Sequence, residues 1–250
     1  LIWHEFGKKD APTVILLHGG GLSWWACAPA AKILAQQYHV ILPVIAGHGE
    51  AAQQPFHSIE ASAEELLRWA DETCGGQIAA IAGLSLGAQI AAETLAQRPD
   101  FARYAVLESA LVIPMPATTA LMAPANRLCA GLVKKRWFAK AQADALYVPE
   151  QMFEAYFADS SRMTAETLVN ITKSNGNYPL PEGIRRTKAR VLIAAGEKEL
   201  GVMTKSARLL HAAVPGSELY LAPGLRHGEW SLKHPQAYAE RLEGFFAQPR

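Results

Sequence analysis

The sequence predicts an α/β protein: a mostly parallel central sheet with helices on both faces and one inserted helical cap. Three observations lead there. Short apolar runs such as Thr13-Val14-Ile15-Leu16-Leu17 and Val191-Leu192-Ile193-Ala194-Ala195 show no polar alternation, as strands covered on both faces do. These runs alternate with stretches of helical periodicity, the pattern of a parallel sheet. One long segment, Pro114 to Pro181, breaks that rhythm and offers several helical patterns but no strand.

Taken in order, Leu1 to Phe6 reads as a short strand closed by the turn Gly7-Lys8-Lys9-Asp10. The Thr13–Leu17 strand ends in the loop His18-Gly19-Gly20-Gly21. A helix over Ala28–Gln37 leads to the strand His39-Val40-Ile41-Leu42-Pro43 and the tight turn Ala46-Gly47-His48-Gly49. Ser58 caps a helix with Ile59, Ala63, Leu66, Leu67 and Ala70 on one face, and Gly75-Gly76 stops it. Gln77–Ala82 is a further strand. A small-residue helix follows and ends before Pro99. Strands at Tyr104–Leu107, Ala189–Ala195 and Glu218–Leu221 complete the set, with a last helix from Pro235 to Phe246. The expected division is a core of 1–113 and 182–250 with a helical cap over 114–181, seated on the carboxyl edge of the sheet where open α/β folds bind ligands. The cap's aromatics are expected mainly to fasten it to the core.

A chain of 250 residues, half of them hydrophobic, can bury a large core. Its 24 basic and 23 acidic residues nearly cancel, and the one basic tract, Lys134-Lys135-Arg136, reads as a solvated helix face. Nucleic acid and an anionic membrane are therefore not expected as main partners. Three widely spaced cysteines, Cys27, Cys74 and Cys129, form no C-x-x-C pair, so neither a disulfide framework nor a zinc site is expected. No apolar run approaches the ~20 residues that span a bilayer, so stable membrane insertion is not expected. Residues 1–5 lack a signal peptide's charged start and apolar centre, and a cytoplasmic location is the expectation; the missing initiator Met leaves a removed leader open.

The chemistry centres on Gly83-Leu84-Ser85-Leu86-Gly87, set between an apolar strand and a helix. A sharp turn there exposes the serine hydroxyl at the start of the helix, whose free N–H groups favour developing negative charge. A serine hydroxyl needs a base. Of eight histidines, His227 lies on a loop between the last strand and last helix that can reach Ser85. His18 and His48 adjoin glycines and are expected to hold loop backbone instead. The base needs an acceptor, and Gly196-Glu197-Lys198-Glu199 follows a strand directly. Glu199 lies farther into that loop; Glu197, and Glu108 after another strand, are rivals. The N–H groups of Leu86 and Gly20 are candidate donors for an oxyanion.

These segments together resemble the α/β-hydrolase fold of cap-bearing serine esterases, thioesterases and C–C hydrolases. The similarity spans nearly the whole chain: the glycine loop at His18–Gly21, the Gly47-His48-Gly49 turn, the serine motif, a helical insertion, then Gly196–Glu199 and Gly224–Gly228. It implies a catalytic triad in the order Ser85, Glu199, His227. That family usually has Asp where Glu199 stands. The resemblance implies an esterase or thioesterase acting on a small molecule through an acyl-enzyme, with no metal or cofactor. A C–C bond hydrolase is an alternative, although Leu22-Ser23-Trp24-Trp25 replaces the Pro-Gly-Ala usual in that group. A slow-turnover ligand-binding protein on the same scaffold is the other. Oligomeric state is not readable from the sequence.

Overall fold

The uninterrupted apolar runs lie where both of their faces are covered. The computed structural model describes residues 1–248; Pro249 and Arg250, the end of the expected core segment 182–250, lie outside the described residues. Among the described residues, β1 (Ile2–Phe6), β2 (Thr13–Leu17), β3 (His39–Val44), β4 (Ile78–Leu84), β5 (Ala102–Glu108), β6 (Arg190–Gly196) and β7 (Glu218–Ala222) form one sheet. Their order is β1-β3-β2-β4-β5-β6-β7, with β1 antiparallel to β3 and every other pair parallel.

Side chains alternate across the sheet into two cores. Ile15 and Leu17 of β2, with Val191 and Ile193 of β6, join one apolar cluster; Val14, Leu16, Leu192 and Ala194 join the other. The first is roofed by α2 (Ile59–Cys74), α3 (Leu86–Gln97) and α8 (Gly201–Ala213), the second by α1 (Ala28–Leu34) and α10 (Pro235–Phe246). Ser58 caps α2 by accepting from the Ala61 N–H at 3.2 Å, and Gly75 closes it at φ 68°. Helix α1 ends three residues before the predicted Gln37, in a turn where the Tyr38 N–H bonds the Leu34 carbonyl. Helix α8 and the short α9 (Glu229–Lys233) have no counterpart in the sequence reading. Neither starts with a capping side chain, and the first turn of α8 holds no acidic residue, so the usual start signals are missing.

The strand order reverses direction between β2 and β4. At such a switch point the loops leaving two neighbouring strands diverge and open a crevice at their carboxyl ends. The glycine loop after β2 and Ser85 after β4 flank that crevice. Between β5 and β6 the chain forms α4 (Pro116–Cys129), α5 (Arg136–Ala145), α6 (Phe153–Ser160) and α7 (Ala165–Asn177) without a strand. These helices pack on the loops of the same edge. The Trp25 indole donates to Asp159 at 2.8 Å, and the Asn170 amide donates to the Phe56 carbonyl at 3.0 Å. A third apolar cluster joins Leu22, Leu84 and Leu232 of the core to Val148, Phe153 and Tyr156 of the helical layer. Phe153 and Tyr156 thus fasten the layer down, whereas Trp137 stands 68% exposed.

Candidate active site

Ser85 occupies the turn from β4 into α3 at φ 53° and ψ −113°, a region that residues with a Cβ rarely adopt. Its neighbours explain how the chain tolerates this. A Cβ on Gly83 would collide with the Gly87 carbonyl, and one on Gly87 with the carbonyls of Leu17 and His18. Only glycine at both positions lets strand, turn and helix pack this closely. The Ser85 N–H donates to the Glu108 carbonyl at 2.8 Å, which ties the turn to the end of β5.

His227 lies on the loop after β7, and its Nδ1 donates to Glu199 Oε2 at 2.9 Å. An ionised carboxylate can only accept, so Nδ1 carries the proton of this bond and Nε2 is left without a bond to Glu199. The other Glu199 oxygen accepts from the Ser109 hydroxyl and the Gly196 N–H, each at 2.6 Å. The longer glutamate therefore folds back over the end of β6, which absorbs the extra methylene relative to aspartate. Burial works against its charge, but the bonds from His227, Ser109 and Gly196 prevail and hold the carboxyl below its ordinary value.

The two rivals sit differently. Glu197 is exposed and accepts from the Gly224 N–H at 2.8 Å. Glu108 is 2% exposed, accepts weakly from the Ser231 N–H at 3.4 Å, and leaves Oε2 without a partner. Burial, reinforced by the nearby charge of Glu199, pushes its carboxyl up to about 7. Of the three carboxylates, Glu199 is the one the structure brings to His227. Among the described residues, Ser85 Oγ and His227 Nε2 share no hydrogen bond and neither has another side-chain partner. The His227 loop does pack on the residue before Ser85, since a Cβ on Gly228 would lie 3.1 Å from Leu84 Cδ1. Catalytic contacts of this kind are often long before substrate binds.

Gly20 lies against Leu86, with room for a Cβ 3.6 Å from Leu86 Cδ2. Neither backbone N–H donates to another backbone group among the described residues, so both are available beside Ser85. His18 shapes this loop from behind. Its Nδ1 donates to the Gly19 carbonyl at 2.9 Å, and its Nε2 accepts from the Ile45 N–H at 3.1 Å. Burial, aided by the neighbouring His48, lowers its pKa to about 3. His48 donates from Nδ1 to the Ala46 carbonyl at 3.1 Å and is lowered by burial to about 4. Both rings are neutral loop struts, as expected.

Above Gly20 the helical layer encloses a cavity of about 200 Å³. Phe138, Leu146, Tyr156 and Ile171 supply much of its wall; its polar side chains are Asn126, Gln142, Ser160, Thr172 and the phenol of Tyr156, with no acidic, basic or histidine side chain. Tyr147, at φ 57°, reaches from this layer to the His227 loop, its ring 5.8 Å from the Arg226 guanidinium and 5.1 Å from the Lys233 ammonium. Sequence reasoning missed Ser109, which holds Glu199 from a backbone at φ 56°. No motif marks it; its position directly after a strand end was the available signal.

Comparison with known proteins bears on the fold and the family. A model of the alpha/beta hydrolase family matches residues 14–241. The (E)-2-((N-methylformamido)methylene)succinate hydrolase of Acinetobacter baylyi is 26% identical over 152 residues, which span 57% of this chain and 57% of that protein. Among solved structures, a hydrolase from Pseudomonas aeruginosa matches with a TM-score of 0.83 at 16% identity, covering 98% of this chain and 94% of that one. The enol-lactonase from Burkholderia xenovorans LB400 matches with a TM-score of 0.80 at 19% identity, covering 99% of this chain and 96% of that one. At such identities the structural matches speak for the fold, while the family model covers most of the chain. The chain belongs to the alpha/beta hydrolase family.

Proposed function

We propose that the chain is a serine hydrolase that cleaves a carboxylic ester or thioester through an acyl-enzyme. The observation that carries this reading is the His227–Glu199 bond at 2.9 Å, which engages Nδ1 and leaves Nε2 for the role of base, on a loop packed beside the strained Ser85 turn. In this reading the Ser85 hydroxyl attacks the substrate carbonyl carbon as its proton passes to His227 Nε2. Glu199 stabilises the imidazolium that results. The Gly20 and Leu86 N–H groups receive the carbonyl oxygen as it becomes negative, each typically worth about 3–4 kcal/mol of barrier lowering. Collapse expels the alcohol or thiol, protonated by His227, and water repeats the sequence on the acyl-enzyme.

The cavity beside Gly20 supports an uncharged substrate group, because a free carboxylate there would meet no cation. The helical layer 114–181 acts in this reading as the cap that covers the substrate. Ser85→Ala is expected to abolish hydrolysis of a short p-nitrophenyl ester while circular dichroism and melting stay unchanged; activity surviving the substitution overturns the assignment. A panel of acyl chains, as esters and as thioesters, then fixes the leaving group and the chain length.

A second reading draws on the missing Ser85–His227 hydrogen bond: a ligand-binding protein that keeps the scaffold but turns over slowly. Tight ligand binding with little or no turnover would favour it; multiple-turnover cleavage favours the enzyme.

A further inference from the structure

The helical layer carries a surface that the proposed chemistry does not use. From Ser109 to Ala143 the chain runs 35 residues without an Asp or Glu, yet holds Arg127, Lys134, Lys135, Arg136 and Lys140, in a protein whose net charge is only +1. Arg136 pairs with Glu154, and Lys140 with Asp144 and Glu150. No ion pair among the described residues involves Arg127, Lys134 or Lys135.

The same stretch exposes large apolar side chains. Leu121 is 73% exposed, Met122 44%, Leu128 86% and Trp137 68%. On α4, Leu121, Pro124, Ala125 and Leu128 recur at helical spacing along one exposed stripe, while Thr119 and Ala123 are buried. Isolated exposed apolar residues need no explanation, but an apolar stripe beside unpaired cations marks a binding face. Asn126, Cys129, Val133 and Phe138 of the same stretch line the cavity beside Gly20, so the segment that carries the exposed stripe also supplies part of that cavity's wall.

We infer that α4 and the start of α5 form a peripheral docking face for an anionic phospholipid surface. Leu121, Leu128 and Trp137 enter the headgroup boundary while Arg127, Lys134 and Lys135 meet lipid phosphates. The charge pattern selects this occupant: a second copy of the chain would set three unpaired cations against three more. The charge balance of the whole chain argues against an anionic membrane as main partner, but it averages over the molecule; neither it nor a solvated reading of Lys134–Arg136 accounts for an apolar stripe in a stretch without acidic residues. Docking is peripheral, since no helix among the described residues is long and apolar enough to cross a membrane. The inference is independent of Ser85 chemistry.

Flotation of the whole chain with vesicles of phosphatidylcholine, alone or mixed equally with phosphatidylglycerol, tests it. Partition onto the mixed vesicles is expected to be about 100-fold stronger, from three cations near an anionic surface, and to fall steeply in 1 M salt, where the Debye length shrinks to about 3 Å. The pairs Leu128→Ser with Trp137→Ser, and Lys134→Glu with Lys135→Glu, should each lower partition at least tenfold without moving the melting temperature, while Ser85→Ala binds as the parent does. Equal, weak binding to both vesicles overturns the inference, as does undiminished binding by either pair. A dimer in sedimentation that Leu128→Ser with Trp137→Ser dissociates would give the face to a second copy instead.

Discussion

The adjacent strands β5 and β6 each bring a glutamate to the same edge of the sheet, and the fold treats the two in opposite ways. Glu199, just past β6, has both oxygens engaged by three donors, and its carboxyl is held below the ordinary range despite burial. Glu108, at the end of β5, has one long bond and one orphaned oxygen, and burial raises it to about 7. The difference teaches that a carboxylate's proximity to a histidine is not enough to make it a partner. A negative charge persists in a covered site only where hydrogen bonds replace the water it loses.

The sharpest way to break this comparison is to neutralise each glutamate in turn. In the proposed mechanism Glu199→Gln should lower kcat by about 10³–10⁴-fold, because an amide no longer fixes the imidazole tautomer or balances its charge. Glu108→Gln should leave kcat within about threefold, since its side chain touches neither His227 nor the oxyanion site. Steady-state ester hydrolysis by the two variants reads this directly, and the reverse ranking would move the acid to β5.

Stability against pH sharpens the contrast next. Below its ordinary value of 4.5, Glu108 is protonated in both folded and unfolded chains and has no effect. Between there and about 7 the unfolded carboxyl ionises while the folded one resists, so folding loses stability as pH rises; above about 7 the penalty is constant. The ceiling is about 3 kcal/mol. Glu108→Gln should thus raise unfolding stability at pH 8, in denaturant titrations, and show almost no gain at about pH 3.5, below both values. Glu199 behaves with the opposite sign. Its lowered carboxyl contributes stability that is full above 4.5 and lost only as pH falls through its depressed folded value.

Ser109→Ala should lower kcat far less than Glu199→Gln does. Losing one of the donors to Glu199 typically removes about 1.5–3 kcal/mol from a charged acceptor, here shared with two remaining donors, so a fall in kcat of about tenfold is expected. The loss should grow as pH is lowered toward 4.5, because the carboxylate becomes easier to protonate. A flat ratio across pH would mean that Ser109 supports only the backbone at its φ of 56°.

The same contrast shows what the sequence could and could not convey. Ser85 and the strands were legible because their signals are local: glycines that a tight turn demands, and apolar runs without alternation. His227 was legible from its position on a loop at the right edge. Glu199 could be preferred over Glu197 and Glu108 only for lying farther into its loop; the bonds that set it apart depend on which donors three separate loops bring together. Ser109 donates from the end of β5 to a residue 90 positions later, a contact without a one-dimensional trace. Helix α8 escaped for a different reason, since it opens without a cap or an acidic first turn. The aromatics of the helical segment were read mainly as fasteners, and Phe153 and Tyr156 pack that way, whereas exposed Trp137 does not.

The central claim is that His227, held by Glu199, activates Ser85. Reaction with a fluorophosphonate, followed by peptide mass spectrometry and by rate, tests it without assuming a substrate. The account predicts stoichiometric modification of Ser85 in the parent and in Glu108→Gln, slowed about 10³-fold or more in Glu199→Gln. Modification at another residue, or equal rates in all three proteins, would contradict it.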